Sequence, residues 1–214
     1  YFLLGEISYQ KGQLELAEKY YLNVLDRDST TDPAAETYFA LGWLATEREE
    51  WKKAFNYYQR LTINFPDDEL TPAALLEMGT ALIENSEPER GLAIWESIWE
   101  TYPHSPAGQT ALIEAGTLFY HRGNYPKALE LFRNLLKATI DDSQIVIPAT
   151  PGIRPSTRRS HAYLLYGSAL QAAGDESNAL AAFQSGLKLS LTPEDEEEML
   201  FAAGYLAHKS GKDR

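Results

Sequence analysis

The side chains best suited to acid–base chemistry are four histidines, which are scattered along the chain. His121 has candidate partners, because Glu114 and Tyr120 lie near it and a histidine beside a carboxylate can move protons near neutral pH. A solvent-facing histidine on a helix explains the same pattern. The sequence has no glycine-rich phosphate loop, nucleophile elbow or closely spaced ligand cluster. We therefore predict that the chain is not an enzyme and uses neither a metal nor a cofactor.

The densest set of carboxylates is the acidic run 194–198, which follows Thr192 and a proline. A capping side chain before proline is typical of a helix start, and negative charge in the first turn suits the helix dipole. We interpret this run as a helix N-terminus rather than as a calcium or metal site. Asp32, Thr71 and Ser105 also precede prolines and predict three further helix starts.

These groups lie within a strict repeat. A glycine recurs every 37 residues, apart from one interval of 51, and a small residue and an aromatic follow it at 12 and 16 residues. Glycine inside a helix costs about 1 kcal/mol relative to alanine, so its recurrence indicates a helix contact too close for a side chain. The glycines are Gly5, Gly42, Gly79, Gly116, Gly167 and Gly204, and the aromatic residues are Tyr21, Tyr58, Trp95, Phe132 and Phe183.

Apolar residues in both halves of each unit recur at helical spacing, as in Ala128, Leu131, Phe132 and Leu135. Each unit is therefore predicted to form two amphipathic helices. The turn between them is expected seven residues after the repeated glycine, where a second glycine often occurs. The turn glycines are Gly12, Gly123, Gly174 and Gly211, with Glu49 and Ser86 in the other two places.

A glycine in the first helix, with an alanine and an aromatic residue in the second, resembles the tetratricopeptide repeat family over nearly the whole chain. The resemblance implies an all-α fold: a right-handed α-solenoid of stacked antiparallel helix pairs, with five repeats and one further helix, in a single domain over residues 1–214. The repeat length and the phrase Thr-Tyr-Pro-His-Ser-Pro at 101–106 resemble bacterial cell-envelope members, of the outer-membrane assembly lipoprotein and Tol/Pal accessory types. This implies a location in the bacterial periplasm or cell envelope.

In this architecture the first helices line a concave face, to which positions three before and one, four and five after the glycine contribute. That face is predicted to be aromatic and acidic, which suits a protein or peptide partner with apolar anchors and basic residues. Packing between repeats explains individual positions equally well, Phe39 and Leu164 above all, whereas Trp43 and Tyr120 are the favoured contacts. The face comprises Phe2, Glu6, Tyr9, Phe39, Trp43, Glu47, Leu76, Ile83, Glu84, Ile113, Thr117, Tyr120, His121, Leu164, Phe201 and Tyr205.

The resemblance also argues against one kind of partner. Family members that bind acidic C-terminal tails hold the terminal carboxylate with Lys, Arg and Asn on this face. This chain carries Phe2, Glu6, Ala40, Ala73 and Glu77 at the matching positions. We therefore expect no binding of acidic tails.

The long interval between glycines places 14 extra residues in segment 138–158, predicted as an inserted loop between the fourth and fifth repeats. Its three prolines exclude a helix, and Arg154, Arg158 and Arg159 supply local positive charge. Long connections inside regular arrays are often functional, so the loop is a second candidate contact. A tolerated surface insertion explains it equally well.

The composition of the chain limits the kinds of partner that it can bind. The 214-residue chain has 44% hydrophobic residues, a net charge of −12, no cysteine and no apolar run long enough to span a bilayer. The negative charge disfavours nucleic acid, and the missing thiols exclude disulfides. The first helix begins part-way through, and the chain stops before the helix that would pair with the one carrying Gly204. We therefore expect either a fragment of a longer protein or a last helix that serves as a cap. Self-assembly as a homo-oligomer and a regulatory role in a larger enzyme or sensor are the alternatives to a protein-binding scaffold.

Overall fold

The computed structural model describes residues 1–27, 33–138, 159–189 and 191–211, and all regular structure in these ranges is helical. The chain divides into two compact units, Tyr1–Ile98 and Trp99–Arg214. The helices are α1 Phe2–Gln10, α2 Leu14–Leu25, α3 Ala34–Glu47, α4 Trp51–Asn64, α5 Thr71–Glu84, α6 Pro88–Thr101, α7 Pro106–His121, α8 Tyr125–Ala138, α9 Arg159–Ala172, α10 Glu176–Gly186 and α11 Pro193–Lys209.

Within each unit, helices that are consecutive in sequence pack against each other. In the first unit α1 packs on α2, α2 on α3, α3 on α4 and α4 on α5. In the second unit the same order holds from α7 to α11, and α11 also contacts α9. The predicted fold class is therefore confirmed as an all-α arrangement of stacked helix pairs, and the described residues form five pairs and one further helix. The assignment of residues 1–214 to a single domain stays a prediction.

The repeated glycine is required because an aromatic ring lies against it. A Cβ atom on Gly42 would lie 2.5 Å from Cε1 of Tyr58, and one on Gly116 would lie 2.4 Å from Cε1 of Phe132. The rings of Tyr21, Trp95 and Phe183 approach their glycines equally closely, which confirms the predicted close helix contact. The space beside each repeated glycine is here called its notch. Gly204 differs, because no atom of the described residues lies within 4 Å of its Cβ position.

The turns inside the pairs use a left-handed backbone. All four predicted turn glycines have positive φ angles, between 66° and 84°. Glu49 and Ser86 adopt the same conformation, with φ of 58° and 66°. A side chain in this region is strained by about 1–2 kcal/mol, so two of the turns are less stable than their glycine counterparts.

Two of the predicted helix starts are confirmed by hydrogen bonds. The Ser105 hydroxyl accepts from the Gly108 amide at 2.9 Å, and the Thr192 hydroxyl accepts from the Asp195 amide at 3.2 Å. Three residues of the acidic run lie in the first turn of α11, as predicted.

The other two starts differ from the prediction. Thr71 is the first residue of α5, and Leu70 rather than Thr71 is its N-cap. The Thr71 hydroxyl donates to the Phe65 carbonyl at 2.7 Å. Helix α3 begins at Ala34, one residue after Pro33, and Asp32 lies outside the described residues.

Helix α8 ends at Ala138 and α9 begins at Arg159. The loop was predicted over 138–158, but Ala138 is the last residue of α8. The rest of that segment, with Arg154 and Arg158, lies outside the described residues. Arg159 is an exposed residue in the first turn of α9. Of the helices described, none combines the length and apolar character needed to cross a bilayer.

Candidate functional site

In the first unit, three of the predicted contact residues form one hydrogen-bonded chain. The Trp43 indole donates to the Tyr9 hydroxyl at 2.8 Å, and that hydroxyl donates to a Glu47 carboxylate oxygen at 2.9 Å. Burial raises the pKa of Tyr9; the Trp43 bond lowers it in part and the Glu47 carboxylate raises it again. The network therefore holds a neutral tyrosine and an indole in fixed positions across α1 and α3.

A second hydrogen bond anchors the start of the same face. The Tyr21 hydroxyl donates to a Glu6 carboxylate oxygen at 2.5 Å, and the Phe2 ring lies 5.8 Å from the Tyr21 ring. Burial, followed by the Glu6 carboxylate, raises the pKa of Tyr21 well above its usual range. Phe2 and Tyr9 are partly buried against the cluster formed by Tyr21, Leu41, Leu44 and Ala17. These side chains therefore support the fold as well as present an edge to solvent.

Three residues predicted to face the groove are buried instead. Phe39, Leu76 and Leu164 are 2%, 3% and 5% exposed, and Phe39 packs edge-on against Tyr58 with ring centres 5.5 Å apart. They lie three residues before their glycines, on the side that the ring of the paired helix covers. Packing between helices is the correct interpretation of these three positions, and they cannot meet a partner directly.

Several other residues predicted for this face are at least partly accessible to solvent, but they do not belong to the hydrogen-bonded chain described above. Ile83 packs on Gly91 of α6, and Glu84 is exposed at the end of α5. Ile113 and Thr117 are half-buried on α7. His121 is exposed, with its ring centre 5.6 Å from that of Tyr120.

In the second unit, the first helices α7, α9 and α11 enclose an open cavity of about 390 Å³, here called the α7–α9–α11 cavity. Three predicted contacts meet there, although they come from helices far apart in sequence. The lining residues are Tyr120 of α7, Ser168, Gln171 and Ala172 of α9, and Glu198, Phe201, Ala202 and Tyr205 of α11.

Helical spacing explains why α11 contributes four of these side chains. Glu198, Phe201, Ala202 and Tyr205 recur at intervals that place them on one face of a helix. Met199 and Leu206, on another face, are 0% and 2% exposed and pack in the core of the second unit. The buried stripe thus holds α11 in place while the neighbouring stripe remains open, with Phe201 77% and Tyr205 52% exposed.

The cavity is open because α9 has short side chains at two positions where α3 has long ones. In the first unit Tyr9, four residues after its glycine, meets the side chains one and five after the next glycine, Trp43 and Glu47. Tyr120 occupies the position of Tyr9, but its counterparts on α9 are Ser168 and Ala172. Two short side chains therefore leave the space that an indole and a carboxylate fill in the first unit.

The lining of the cavity is acidic. Glu198 is exposed and is its one carboxylate, and no Lys or Arg is among the described residues that line it. The nearby Lys209 contacts Glu176 at 2.5 Å. The Ser168 hydroxyl donates to the Leu164 carbonyl at 2.9 Å, so its hydrogen is already used.

The sequence prediction missed five lining residues, three of which the repeat could have found. Ser168, Gln171 and Ala172 stand one, four and five after Gly167, at positions that the register assigns to the concave face. Glu198 and Ala202 stand outside those positions and become visible only once α11 is placed.

Outside the cavity, one histidine has a carboxylate partner that the sequence did not suggest. His161 Nδ1 lies 3.0 Å from an Asp195 carboxylate oxygen, which joins α9 to the first turn of α11. Asp195 is 7% exposed, so the pair ties two helices together. Within the described ranges, no group of three or more His, Cys, Asp or Glu could hold a metal ion.

A second cavity, of about 240 Å³, lies between α4, α5 and α6 of the first unit and contains a cation of the chain itself. The Arg90 guanidinium lies 5.9 Å from the centre of the Phe55 ring and pairs with Glu87. The hydrogen bond from Arg90 lowers the pKa of the Glu87 carboxyl. An aromatic ring, a carboxylate and a guanidinium therefore already meet in this cavity.

Comparison with known proteins adds a family and a set of folds. The family model described as tetratricopeptide repeat matches residues 2–69 and 76–143. A solved structure of MamA is 19% identical, covers 92% of this chain and 97% of its own, and has a TM-score of 0.63. YrrB, described as a TPR protein with an unusual peptide-binding site, is 17% identical over 94% of this chain and 89% of its own, with a TM-score of 0.59.

A third structure, BtubC (BKLC) from P. vanneervenii, is 17% identical over 86% of this chain and 76% of its own, with a TM-score of 0.66. At these identities the likeness concerns the fold. None of the curated proteins matches the chain in sequence.

Proposed function

Because the chain belongs to the tetratricopeptide repeat family, whose domains bind protein or peptide partners, we propose that it is a non-catalytic scaffold that binds a partner segment on its first helices. The observation that carries the proposal is the α7–α9–α11 cavity, whose volume of about 390 Å³ lies within the range of about 300–1,000 Å³ typical of ligand sites.

The exposure of two large aromatic side chains supports the proposal that this surface binds a partner. Phe201 and Tyr205 are 77% and 52% exposed on one face of α11, and Tyr120 stands across the cavity from them. Large aromatic residues are enriched among binding hot spots, because they bury much area at a low cost in conformational entropy. A partner side chain that enters the cavity would remove all three from water.

The first unit offers a second contact of the same composition. Trp43 and Glu47 are held by hydrogen bonds to Tyr9, so little side-chain ordering would be needed on binding. An aromatic surface next to a carboxylate suits a partner with apolar anchors and basic residues, as in the second unit.

Selection from a random peptide-display library tests this proposal without knowledge of the partner. Peptides selected on the whole chain are then titrated against Tyr120→Ala/Phe201→Ala/Tyr205→Ala, and we expect at least about a tenfold loss of affinity, since hot-spot side chains contribute 1–2 kcal/mol or more each. The matched control, Leu22→Ala/Ile63→Ala/Leu189→Ala, removes exposed apolar side chains elsewhere and should leave affinity unchanged. Equal losses in both variants, or in neither, would contradict the proposal.

Self-assembly is a second candidate function, because α1 exposes an apolar face. Leu3, Leu4 and Ile7 are 74%, 46% and 48% exposed. Light scattering over a range of concentrations would show a growing mass that Leu3→Lys/Ile7→Lys abolishes; a constant monomer mass would rule this function out.

The location in a bacterial cell envelope also stays a prediction, which fractionation of cells expressing the full-length protein would test.

A further inference from the structure

We propose that the α7–α9–α11 cavity is a receptor for one cationic side chain of the partner, preferably arginine. In this arrangement the guanidinium lies among the rings of Tyr120, Phe201 and Tyr205 and pairs with the Glu198 carboxylate. The inference rests on the proposed function, since it names what the bound segment presents to this site.

The charge of the site selects a cation. Glu198 is the carboxylate of the lining, and Glu194, Glu196 and Glu197 are exposed on the same helix. The chain as a whole carries a net charge of −12. The negative potential attracts a basic partner and repels an acidic one, so a carboxylate or phosphate is a poor occupant.

The aromatic rings favour the same occupant. Cations bind over the faces of tyrosine and phenylalanine because the ring face is the negative end of the quadrupole. The described ring contacts pair Tyr120 with His121 and Tyr125, and neither Phe201 nor Tyr205 is in a ring contact with it. The space between α7 and α11 is therefore not closed by the rings themselves.

At other aromatic rings of the chain, an arginine of the chain itself supplies the cation. Arg27 lies 4.5 Å from the centre of the Tyr1 ring, and Arg133 and Arg90 lie 5.9 Å from those of Tyr166 and Phe55. At Phe55 the carboxylate of Glu87 completes the set. The α7–α9–α11 cavity has the rings and the carboxylate, but the nearby Lys209 pairs with Glu176 and no cation lines the site in the described residues.

The dimensions of the cavity suit one long side chain. Its volume of about 390 Å³ is near the lower end for ligand sites and is too small for a packed helix. Ala172 and Ala202 offer an apolar wall to the methylene groups of arginine, and the Gln171 side-chain carbonyl can accept from a guanidinium N–H. Arginine is preferred over lysine because its planar group stacks on rings and donates in two directions.

The test uses blocked amino acids as probes of the whole chain. N-acetyl-arginine amide and N-acetyl-citrulline amide have nearly the same shape, but only the first carries a charge. Titrated into the isotopically labelled protein, the arginine probe should shift NMR signals of α7, α9 and α11 and bind at least about tenfold more tightly than the citrulline probe. Equal binding of the two probes, or shifts confined to other helices, would overturn the inference.

Matched charge variants separate the site from the general negative field. Glu198→Gln should weaken arginine binding about three- to fivefold, whereas Glu197→Gln, next to it on the same helix, should change it less than about twofold. Both residues are exposed, so neither change should alter folding. Equal effects of the two variants would show that charge acts at long range and would overturn the site.

A closing variant tests the cavity itself. Ser168→Trp places the residue found at the same register in α3, Trp43, into the space beside Tyr120. It should abolish arginine binding while the helical content and the carboxylates remain; retained binding would overturn the inference.

Failure of this inference and failure of the scaffold proposal give different results. If display-selected peptides require Tyr120, Phe201 and Tyr205 but contain no basic residue, the cation site is wrong and the scaffold stands. If the arginine probe binds and no peptide does, the cation site stands and the scaffold proposal is contradicted.

Discussion

At the scale of the residue, one pairing recurs through the molecule: a glycine on the first helix and an aromatic ring on the second. The ring occupies the space in which a side chain would stand, within 2.6 Å of the missing Cβ at five glycines. Phe132 and Tyr58 are 2% and 0% exposed, so neither ring can move aside without disturbing the core.

The pairing predicts opposite effects of the same substitution at two positions. Gly116→Ala should lower the free energy of unfolding by about 1–3 kcal/mol, because the methyl group collides with Phe132. Gly204→Ala should raise it by up to about 1 kcal/mol, since its Cβ position is open and alanine favours the helix. Urea denaturation of the two variants and the parent measures both. If both variants lost stability, the space beside Gly204 would be occupied in solution.

Tyr58 makes the stability of the first unit sensitive to alkaline pH. Burial, and secondarily the Glu77 carboxylate, raises its pKa well above the ordinary value of 10.0. Because the folded state keeps the proton longer than the unfolded state does, this contribution is complete below pH 10 and is lost at higher pH, by about 1.4 kcal/mol per pH unit.

Tyr58→Phe should remove this loss. Phe132 and Phe183 hold the equivalent notches in other repeats, so phenylalanine should fit at neutral pH. Denaturation at pH 8 and pH 11 should show a smaller alkaline decrease for the variant than for the parent. Parallel decreases would show that Tyr58 titrates normally.

At the scale of the element, short side chains on one helix open the α7–α9–α11 cavity. Positions one and five after the glycine hold Trp43 and Glu47 on α3 but Ser168 and Ala172 on α9. The helices are otherwise of the same kind, and both carry the repeated glycine. Smaller side chains at two positions of one repeat therefore leave an open cavity where another repeat is filled.

The turns provide a test of strain at this scale. Glu49 has a φ of 58° where other repeats have glycine. Glu49→Gly should raise the free energy of unfolding by about 0.5–1 kcal/mol, because glycine adopts this conformation without a steric penalty. Glu49→Ala removes the same carboxylate but keeps the Cβ, and should give no gain. A gain of equal size in both variants would assign the effect to charge rather than to the backbone.

Elements were predictable from sequence wherever a single interaction sets them. The glycine register, the turn positions and the caps at Ser105 and Thr192 all correspond to the structure. Thr71 was mispredicted because α5 begins one residue earlier than the proline motif indicates, with Leu70 as its N-cap. The neighbouring Asp68 side chain accepts from the Leu70 amide at 2.8 Å, so the turn is stabilised by another residue.

At the scale of the whole molecule, the sequence predicted the fold but only part of the candidate site. Periodicity defines which residues belong to first helices, and this brought Tyr120, Phe201 and Tyr205 into the prediction. It does not say which of them are exposed: the position three before the glycine is buried at Phe39 and open at Phe201. That difference depends on whether a ring fills the neighbouring notch, which is a property of packing.

In our proposal, partner segments bind where the first helices of the second unit leave space. Hydrogen exchange of the whole chain, with and without a display-selected peptide, measures this most directly. We expect new protection in α7, α9 and α11 around Tyr120, Gln171 and Phe201, and its disappearance in Ser168→Trp. Protection confined to the second helices α8 and α10, or unchanged by Ser168→Trp, would show that partners bind elsewhere.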